Sequence, residues 1–153
     1  MALVGVAGLL MCLVGCSPYR LQGVVVAGDM PGVEVVKKND PRLAEAGPGV
    51  AGATLAVLLD PQRLSPEQIG EGHSDAEGGF ALPIDAFGAG TLMLDIELRA
   101  SRPGYASVAE RFVLPGGNER VIVTVQRGED RRSLESENIL RDTLRDAEPY
   151  LRD

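Results

Sequence analysis

The feature that most constrains the fold is a succession of short apolar runs separated by turn residues. Residues 92–100 alternate between aliphatic and mostly charged side chains, and residues 121–125 place three valines on one side. This period of two is typical of strands with one buried face. Seven such runs predict an all-β chain folded as a seven-stranded antiparallel β-sandwich. The predicted strands lie at 21–26, 33–37, 53–59, 79–84, 92–100, 105–114 and 121–125.

Two segments between the predicted strands have the composition of loops. Residues 39–52 are rich in Pro, Gly and Ala, and residues 61–72 are polar and interrupted by Pro. We expect both to be loops, the second one as an exposed excursion. The strand–helix–strand spacing of a parallel α/β sheet is absent from the sequence. The body of the chain is therefore expected to form one domain over residues 21–128.

The first residues carry a different signal. Residues 2–15 contain no charged side chain and lead to Cys16, with Leu13, Val14 and Gly15 directly before it. This run is shorter than the roughly 20 residues of a transmembrane helix and matches the apolar part of a signal peptide. It resembles the lipobox of bacterial lipoproteins, which implies that Cys16 is lipidated. An ordinary cleaved signal and a short membrane-associated helix are the alternatives.

The lipoprotein resemblance sets the predicted boundaries and location. It implies a helical signal peptide at 1–15 and a lipidated tether at 16–20. The lipid would attach the protein to the membrane. Ser17, rather than Asp, follows the lipidated residue, which favours the outer membrane. The predicted location is thus the bacterial cell envelope, on the periplasmic side.

Cysteine content and charge exclude several kinds of site. The two cysteines are Cys12 and Cys16, so the predicted mature protein has no free thiol, disulfide or cysteine-bound metal. The formal net charge is −7, which argues against binding to nucleic acid. Aromatic residues make up 4% of the chain, which argues against an aromatic-lined ligand pocket. We predict no cofactor.

The C-terminal segment, residues 129–153, is charged and contains no Gly. Its apolar residues Leu140, Leu144, Ala147 and Leu151 recur at a spacing typical of a narrow helical stripe. We predict a short helix that is either solvated or used for docking to a partner or a second copy.

Four short motifs follow one another in the body of the chain. They are Leu-Gln-Gly-Val-Val at 21–25, Gly-Val-Ala-Gly-Ala-Thr-Leu at 49–55, Ser-Asp-Ala-Glu-Gly-Gly-Phe at 74–80 and Ala-Ser-Arg-Pro-Gly-Tyr at 100–105. In this order and spacing they resemble the carboxypeptidase regulatory-like domain, of transthyretin-like (prealbumin-like) fold. The resemblance covers residues 21–128 and implies a Greek-key sandwich, but it implies no particular activity.

Two of these motifs have the chemistry of turns. An aspartate is expected to accept backbone N–H bonds, and a following glycine to adopt a positive φ before a phenylalanine enters the core. A Pro-Gly pair is expected to form a tight turn before a tyrosine, whose ring we expect to be buried and whose hydroxyl we expect to bond to the backbone. The residues assigned to these turns are Asp75, Gly78, Gly79, Phe80, Pro103, Gly104 and Tyr105.

The sequence contains one histidine, His73, followed by Ser74 and Asp75. Adjacent side chains point apart and cannot form a nucleophile–base–orienter line, so we predict an exposed loop histidine and no catalytic residues. One histidine does not make a zinc site. Asp75 and Glu77, with Asp60, are the weaker alternative of a calcium site, and no metal is predicted.

These observations predict a non-catalytic protein with a structural or protein-interaction role at the envelope and an envelope protein as partner. The alternatives are a module that binds carbohydrate or a small ligand, and an accessory lipoprotein of a secretion or envelope assembly.

Overall fold

A computed structural model describes residues 19–128, and the fold is given for that range. Eight strands and one short helix follow one another along it, so the prediction of an all-β chain is confirmed and the prediction of seven strands is wrong. The elements are β1 (Arg20–Ala27), β2 (Gly32–Lys37), α1 (Arg42–Glu45), β3 (Thr54–Leu59), β4 (Glu67–His73), β5 (Gly79–Pro83), β6 (Asp95–Ser101), β7 (Val108–Val113) and β8 (Glu119–Val125).

The strands form two four-stranded sheets, with orders β2-β8-β1-β5 and β4-β3-β6-β7. Neighbouring strands are antiparallel except for β1 and β8, which run parallel at the centre of the first sheet. The prediction of a purely antiparallel sandwich is therefore wrong at this pair. Parallel partners need a long connection between them, and here the whole second sheet lies in that connection.

The inner faces of both sheets share one apolar core, as in a sandwich. Val121, Val123 and Val125 of β8 are fully buried in it, as the alternation predicts. In β6 the inward side chains are Ile96 and Leu98, both fully buried. A core shared by two sheets explains why neither sheet needs a disulfide to hold it.

The strand predicted at 92–100 begins later than expected. β6 starts at Asp95, which pairs with the last residue of β7, and Leu92 is half exposed in the preceding loop. The alternation continues through Leu92 in the sequence, but neither β3 nor β7 extends far enough to oppose it. A leucine without a neighbouring strand has no pleated surface to pack on, so the alternating pattern alone overestimates the length of the strand.

Strand β4 is absent from the seven predicted strands, because residues 61–72 have the polar composition of a loop. Only Ile69 is buried in this strand, which lies at a sheet edge and contains two glycines. A Cβ on Gly70 would lie 2.8 Å from the Ile84 side chain, and one on Gly72 would lie 2.7 Å from Leu82. The glycines thus let β4 approach the last residues of β5, and this close approach masks the usual strand signal.

The segment predicted as a loop at 39–52 contains α1, which covers part of the outer face of the first sheet. Val26, Val36 and Ile122 are buried there, with Leu43 and Ala46 packed against them. The helix begins at Arg42, whose guanidinium bonds to Asp40 and to Glu34 of β2. Hydrogen bonds from Arg42 lower the pKa of Asp40 to about 2.

Both lateral openings of the sandwich are bridged by hydrogen bonds. On one side the backbone N–H of Val33 donates to the Glu110 carboxylate of β7 over 2.7 Å. On the other side the N–H of Asp85 donates to the Ile69 carbonyl of β4 over 2.8 Å. These bonds satisfy backbone groups that a bare edge strand would leave available to another chain.

The closest packing in the first sheet predicts a sharp cost for one methyl group. In Gly23→Ala the new Cβ would lie 2.0 Å from the Val121 carbonyl oxygen and 2.7 Å from the Phe80 ring. We expect the free energy of unfolding to fall by about 3 kcal/mol, measured by urea denaturation. Gly117→Ala is the control, because nothing lies within 4 Å of its added Cβ. Equal unfolding midpoints for the two variants would contradict this packing.

Candidate functional site

The chain enters the sandwich at one end, which we call the basal end and define by Tyr19 and the loops 60–66, 84–94 and 114–118. The Tyr19 hydroxyl donates to the Pro115 carbonyl over 2.5 Å, and its own carbonyl accepts the Ile84 N–H over 3.0 Å. Burial raises the pKa of this phenol, an effect that Arg120 opposes and Glu119 strengthens. Tyr19 is therefore attached to the sandwich before β1 begins.

The loop 84–94 surrounds Tyr19 and has a defined internal structure. Its Gly90 has a positive φ, and a Cβ there would lie 2.4 Å from the Tyr19 ring. Thr91 donates its hydroxyl to the Gly88 carbonyl, which also accepts the Leu92 N–H. Two alanines of the loop, Ala86 and Ala89, pack against the core. The loop is thus held against the sandwich while Phe87, Leu92 and Met93 remain exposed.

Large apolar side chains are exposed at this end. Phe87 is 94% exposed and Met93 91% exposed, both in the loop 84–94. Leu92 of the same loop and Val113 at the end of β7 are about half exposed, and Leu64 of the loop 60–66 is fully exposed. Nothing in the sequence distinguishes these side chains from core residues, because their exposure depends on neighbours that are distant in the chain.

The opposite end, which we call the distal end, carries both turn motifs and the loops 46–53, 74–78 and 102–107. Asp75 Oδ1 accepts the N–H of Gly79 over 2.6 Å and that of Glu77 over 3.1 Å. Gly78, not Gly79, has the positive φ of 86°. Phe80 follows and is 7% exposed in the core. The turn therefore has the geometry that its residue types indicate.

Ser74 is the residue of this motif whose role the sequence did not reveal. Its side chain is buried, donates to the Val50 carbonyl over 2.6 Å and accepts the Ala53 N–H over 2.9 Å. Both bonds lead to the loop 46–53, so Ser74 joins two distal loops. Its hydroxyl is thereby engaged with the backbone rather than with His73.

His73 lies at the end of β4 and is exposed, rather than in a loop as predicted. Its Nδ1 is 3.4 Å from the Thr54 hydroxyl of the neighbouring strand. Of the carboxylates considered for calcium, Asp75 and Glu77 lie at the distal end and Asp60 at the basal end. Among residues 19–128 no three His, Cys, Asp or Glu side chains are grouped as a metal site would require.

The second turn motif holds the chain where it leaves the sandwich. Pro103 is exposed, Gly104 has a φ of 84°, and the Gly104 carbonyl accepts the Gly128 N–H over 3.1 Å. Tyr105 packs against the core with a half-buried ring, and its backbone pairs with Arg127. Its backbone N–H donates to the Arg102 carbonyl over 3.0 Å. The sequence predicts a bond from the Tyr105 hydroxyl to the backbone. Among residues 19–128, the tyrosine hydroxyl that donates to a backbone carbonyl is that of Tyr19.

A groove of about 590 Å³ runs over the outer face of the first sheet, between α1 and the end of β4. Its lining combines Gln22 and Val24 of β1 with the charged residues Lys38, Asp75 and Arg120. Such a size is within the range of small-molecule sites, but the groove is wide open, so it cannot enclose most of a ligand's surface.

On the outer face of the second sheet, Glu97 is a buried carboxylate with two arginine partners. Arg99 Nε lies 2.7 Å from one of its oxygens and Arg111 Nε 3.0 Å from the other. Burial acts to raise the pKa of Glu97, but the hydrogen bonds and charges of Arg111 and Arg99 outweigh it, so the pKa lies below its ordinary value. The sequence offered no signal for this cluster, because its members meet across two strands.

Several predicted features lie outside the described residues. These are the signal segment with Leu13, Val14, Gly15 and Cys16, and the C-terminal tail at 129–153. Of the predicted tether at 16–20, Tyr19 and Arg20 are described, and Arg20 is the first residue of β1. Within residues 19–128, no helix has the length and apolar character needed to cross a membrane.

Comparisons with known proteins give the chain no family. No family model matches it, and no curated protein matches it. Among solved structures it is similar to a 9R-lipoxygenase from Cyanothece PCC8801, with 17% identity and a TM-score of 0.38. That match covers 66% of this chain and 14% of the lipoxygenase chain. A likeness of this size carries no argument about function.

The bonds of Ser74 predict that its hydroxyl is structural. In Ser74→Ala the Ala53 N–H and the Val50 carbonyl lose their partner in a buried place, so we expect the free energy of unfolding to fall by about 2 kcal/mol. Thermal or urea unfolding measures this loss. Ser65→Ala, in the exposed loop 60–66, is the matched control and should unfold like the parent protein. Unchanged stability of Ser74→Ala would contradict the assigned role.

The low pKa of Glu97 predicts a pH-dependent contribution to stability. Its folded pKa lies below the unfolded value of 4.5, so the stabilisation is present above that value and is lost as pH falls through the folded pKa. At pH 7 we expect Glu97→Gln to be less stable than the parent by about 1 kcal/mol, because both arginines are more than half exposed.

The gap between Glu97→Gln and the parent should begin to close below the unfolded value of 4.5 and disappear as pH falls through the lower pKa of folded Glu97. Urea unfolding at a series of pH values measures it, with Glu67→Gln, at an exposed site, as control. A gap that stays constant down to pH 2 would show that the carboxylate charge does not contribute.

Proposed function

We propose that this chain is a bacterial lipoprotein whose sandwich is held at the membrane by an acyl group on Cys16. In this proposal residues 1–15 are the cleaved signal, and the protein faces the periplasm, with the outer membrane as the favoured location. The sandwich is non-catalytic and acts through contact with another envelope protein. Neither a cofactor nor nucleic acid takes part.

The anchor is supported by the lipobox-like residues 13–15 before Cys16, and the attachment of Tyr19 places that anchor at the basal end. Two residues lie between Cys16 and Tyr19. Their Cα atoms are three peptide steps apart, which limits the distance between them to about 11 Å. Since the Tyr19 ring, hydroxyl and carbonyl all contact the sandwich, an acyl group on Cys16 would keep the basal end next to the bilayer. A membrane anchor at this position needs no other membrane-binding segment.

We assign the transthyretin-like, Greek-key description of the carboxypeptidase regulatory-like domain to the same proposal. Its support is local: the motif at 74–80 forms an Asx-type turn before Phe80, and Pro103 and Gly104 turn the chain before Tyr105. The two sheets of four strands are compatible with such a sandwich.

An interaction role rather than catalysis is supported by how the distal side chains are used. The hydroxyl of Ser74 is taken up by two backbone bonds, and Asp75 accepts two more, so these groups shape loops. The distal end is also where the chain continues into residues 129–153, which we expect to include a docking or solvated helix. The partner-binding surface is therefore assigned to the distal end, and Met30, 83% exposed, belongs to it.

The groove on the first sheet favours a second candidate, the binding of a carbohydrate or other small polar ligand. Lys38 and Arg120 supply positive charge, and Gln22 supplies amide hydrogen bonds. The wide opening of the groove makes this a weaker candidate than the protein-interaction role. A role as accessory lipoprotein of a secretion or envelope assembly is one form of the latter.

The anchor is tested by replacing its sulfur. Cys16→Ser should leave the signal uncleaved or the product unacylated, so that mass spectrometry of the N-terminal peptide finds no acyl group. A product that is cleaved but unacylated should be lost from membranes washed with high salt, whereas an uncleaved product should keep residues 1–15 and their mass. Cys12→Ser, within the predicted signal, is the matched control and should be processed and retained. Equal membrane retention and processing of the Cys16→Ser and parent proteins would overturn the proposal.

The role is tested on the same membranes by crosslinking from the distal end. Recovery of an envelope protein supports the interaction role. Failure to crosslink, together with saccharide binding that Arg120→Ala abolishes, supports the second candidate instead.

A further inference from the structure

We propose that the basal end is itself a lipid-contacting surface, with Phe87, Leu92 and Met93 inserted at the headgroup–acyl boundary of the bilayer. This rests on the proposed function, because the acyl anchor brings the basal end to the membrane. It goes beyond that function by assigning an orientation to the sandwich and a ligand, the lipid surface, to a specific loop.

Most of the large apolar side chains that are exposed in residues 19–128 lie at the basal end. Phe87 and Met93 are almost fully exposed and belong to a single loop, with Leu92 half exposed beside them. Leu64 extends from the neighbouring loop 60–66, which follows β3 at the same end. Several large exposed apolar side chains gathered at one end of a fold are typical of a contact with a membrane or a protein.

The path of the chain toward Cys16 indicates that the bilayer covers this surface. The ring of Tyr19 packs on Gly90 of this loop, so the chain that leads to Cys16 emerges beside the apolar side chains. With at most about 11 Å between the Cα atoms of Cys16 and Tyr19, an acylated Cys16 leaves little space for a protein partner between this end and the bilayer. Side chains on a membrane-bound surface typically reach about 5–10 Å into the boundary region.

The loop 84–94 can present these side chains to a membrane without unfolding. Ala86 and Ala89 pack against the core, and the Gly88 carbonyl accepts hydrogen bonds from the hydroxyl and the N–H of Thr91 and from the N–H of Leu92. Insertion therefore requires no conformational change of the sandwich, only the transfer of side chains that water already surrounds.

The charges at this end determine which lipid it fits. Asp85 and Asp95 are exposed next to the apolar residues. The exposed cations Arg20, Lys37 and Lys38 lie at the same end of the sandwich, at the start of β1 and the end of β2. With exposed charges of both signs at this end and a net charge of −7 on the whole chain, no strong attraction to anionic headgroups results. The surface therefore fits a zwitterionic bilayer, such as one of phosphatidylethanolamine, and binds through its apolar side chains.

The absence of Trp from the sequence makes a direct test possible. The acylated protein is purified from membranes as Phe87→Trp, Met93→Trp or Met30→Trp and reconstituted in phosphatidylethanolamine-containing vesicles. We expect Trp emission at positions 87 and 93 to shift to shorter wavelength and to lose at least half its intensity with brominated acyl chains. Met30→Trp, at the distal end, should keep the emission of a water-exposed indole and remain unquenched.

The outcomes separate the two proposals. A protein whose Cys16 carries no acyl group overturns the proposed function and, with it, the reason for this orientation. An acylated protein in which Trp at 87 and 93 stays in water overturns the lipid-contacting surface alone. A shift to shorter wavelength without quenching by brominated lipid also overturns it, because the loop is then covered by protein. The second reporter position guards against a fold defect in either single variant, which circular dichroism would reveal.

Discussion

The parallel pairing of β1 and β8 is the constraint on which the rest of the structure depends. Because these two central strands point the same way, β1 leaves the basal end and β8 finishes at the distal end. The first and last described residues are thus separated by the length of the sandwich. A chain anchored near its N-terminus therefore has one end facing the membrane and another end free, and the two ends carry different side chains.

The two ends also differ in how their loops are stabilised. At the distal end, buried polar groups join the loops: Ser74 holds the segment 50–53, and Asp75 closes its own turn. At the basal end, Tyr19 holds the loop 84–94 mainly by packing, and the larger apolar side chains remain outside. Polar, bonded loops suit a water-exposed interaction surface, whereas exposed apolar side chains suit a lipid surface.

The sequence predicts those features that depend on interactions between residues close together in the chain. The alternation of Val121, Val123 and Val125 and the turn at Asp75 depend on neighbours in the chain, and both occur in the structure as the residue types indicate. Strand β4 and the Glu97 cluster depend on residues distant in sequence. A side chain at Gly70 would collide with residues at the end of β5, and Glu97 is paired with Arg111 of the neighbouring strand. Neither contact produces a recognisable pattern in the nearby sequence.

The parallel pairing is measured most directly by the distance between the chain's entry and exit. Spin labels on Arg20→Cys and Arg127→Cys, in a background with both native cysteines replaced by serine, report it by pulsed electron paramagnetic resonance. With β1 and β8 parallel, Arg20 is level with Asn118 and the two sites are at opposite ends of the sandwich, about 30 Å apart at a rise of about 3.3 Å per residue. A distance below about 15 Å would place both at the same end and contradict the account.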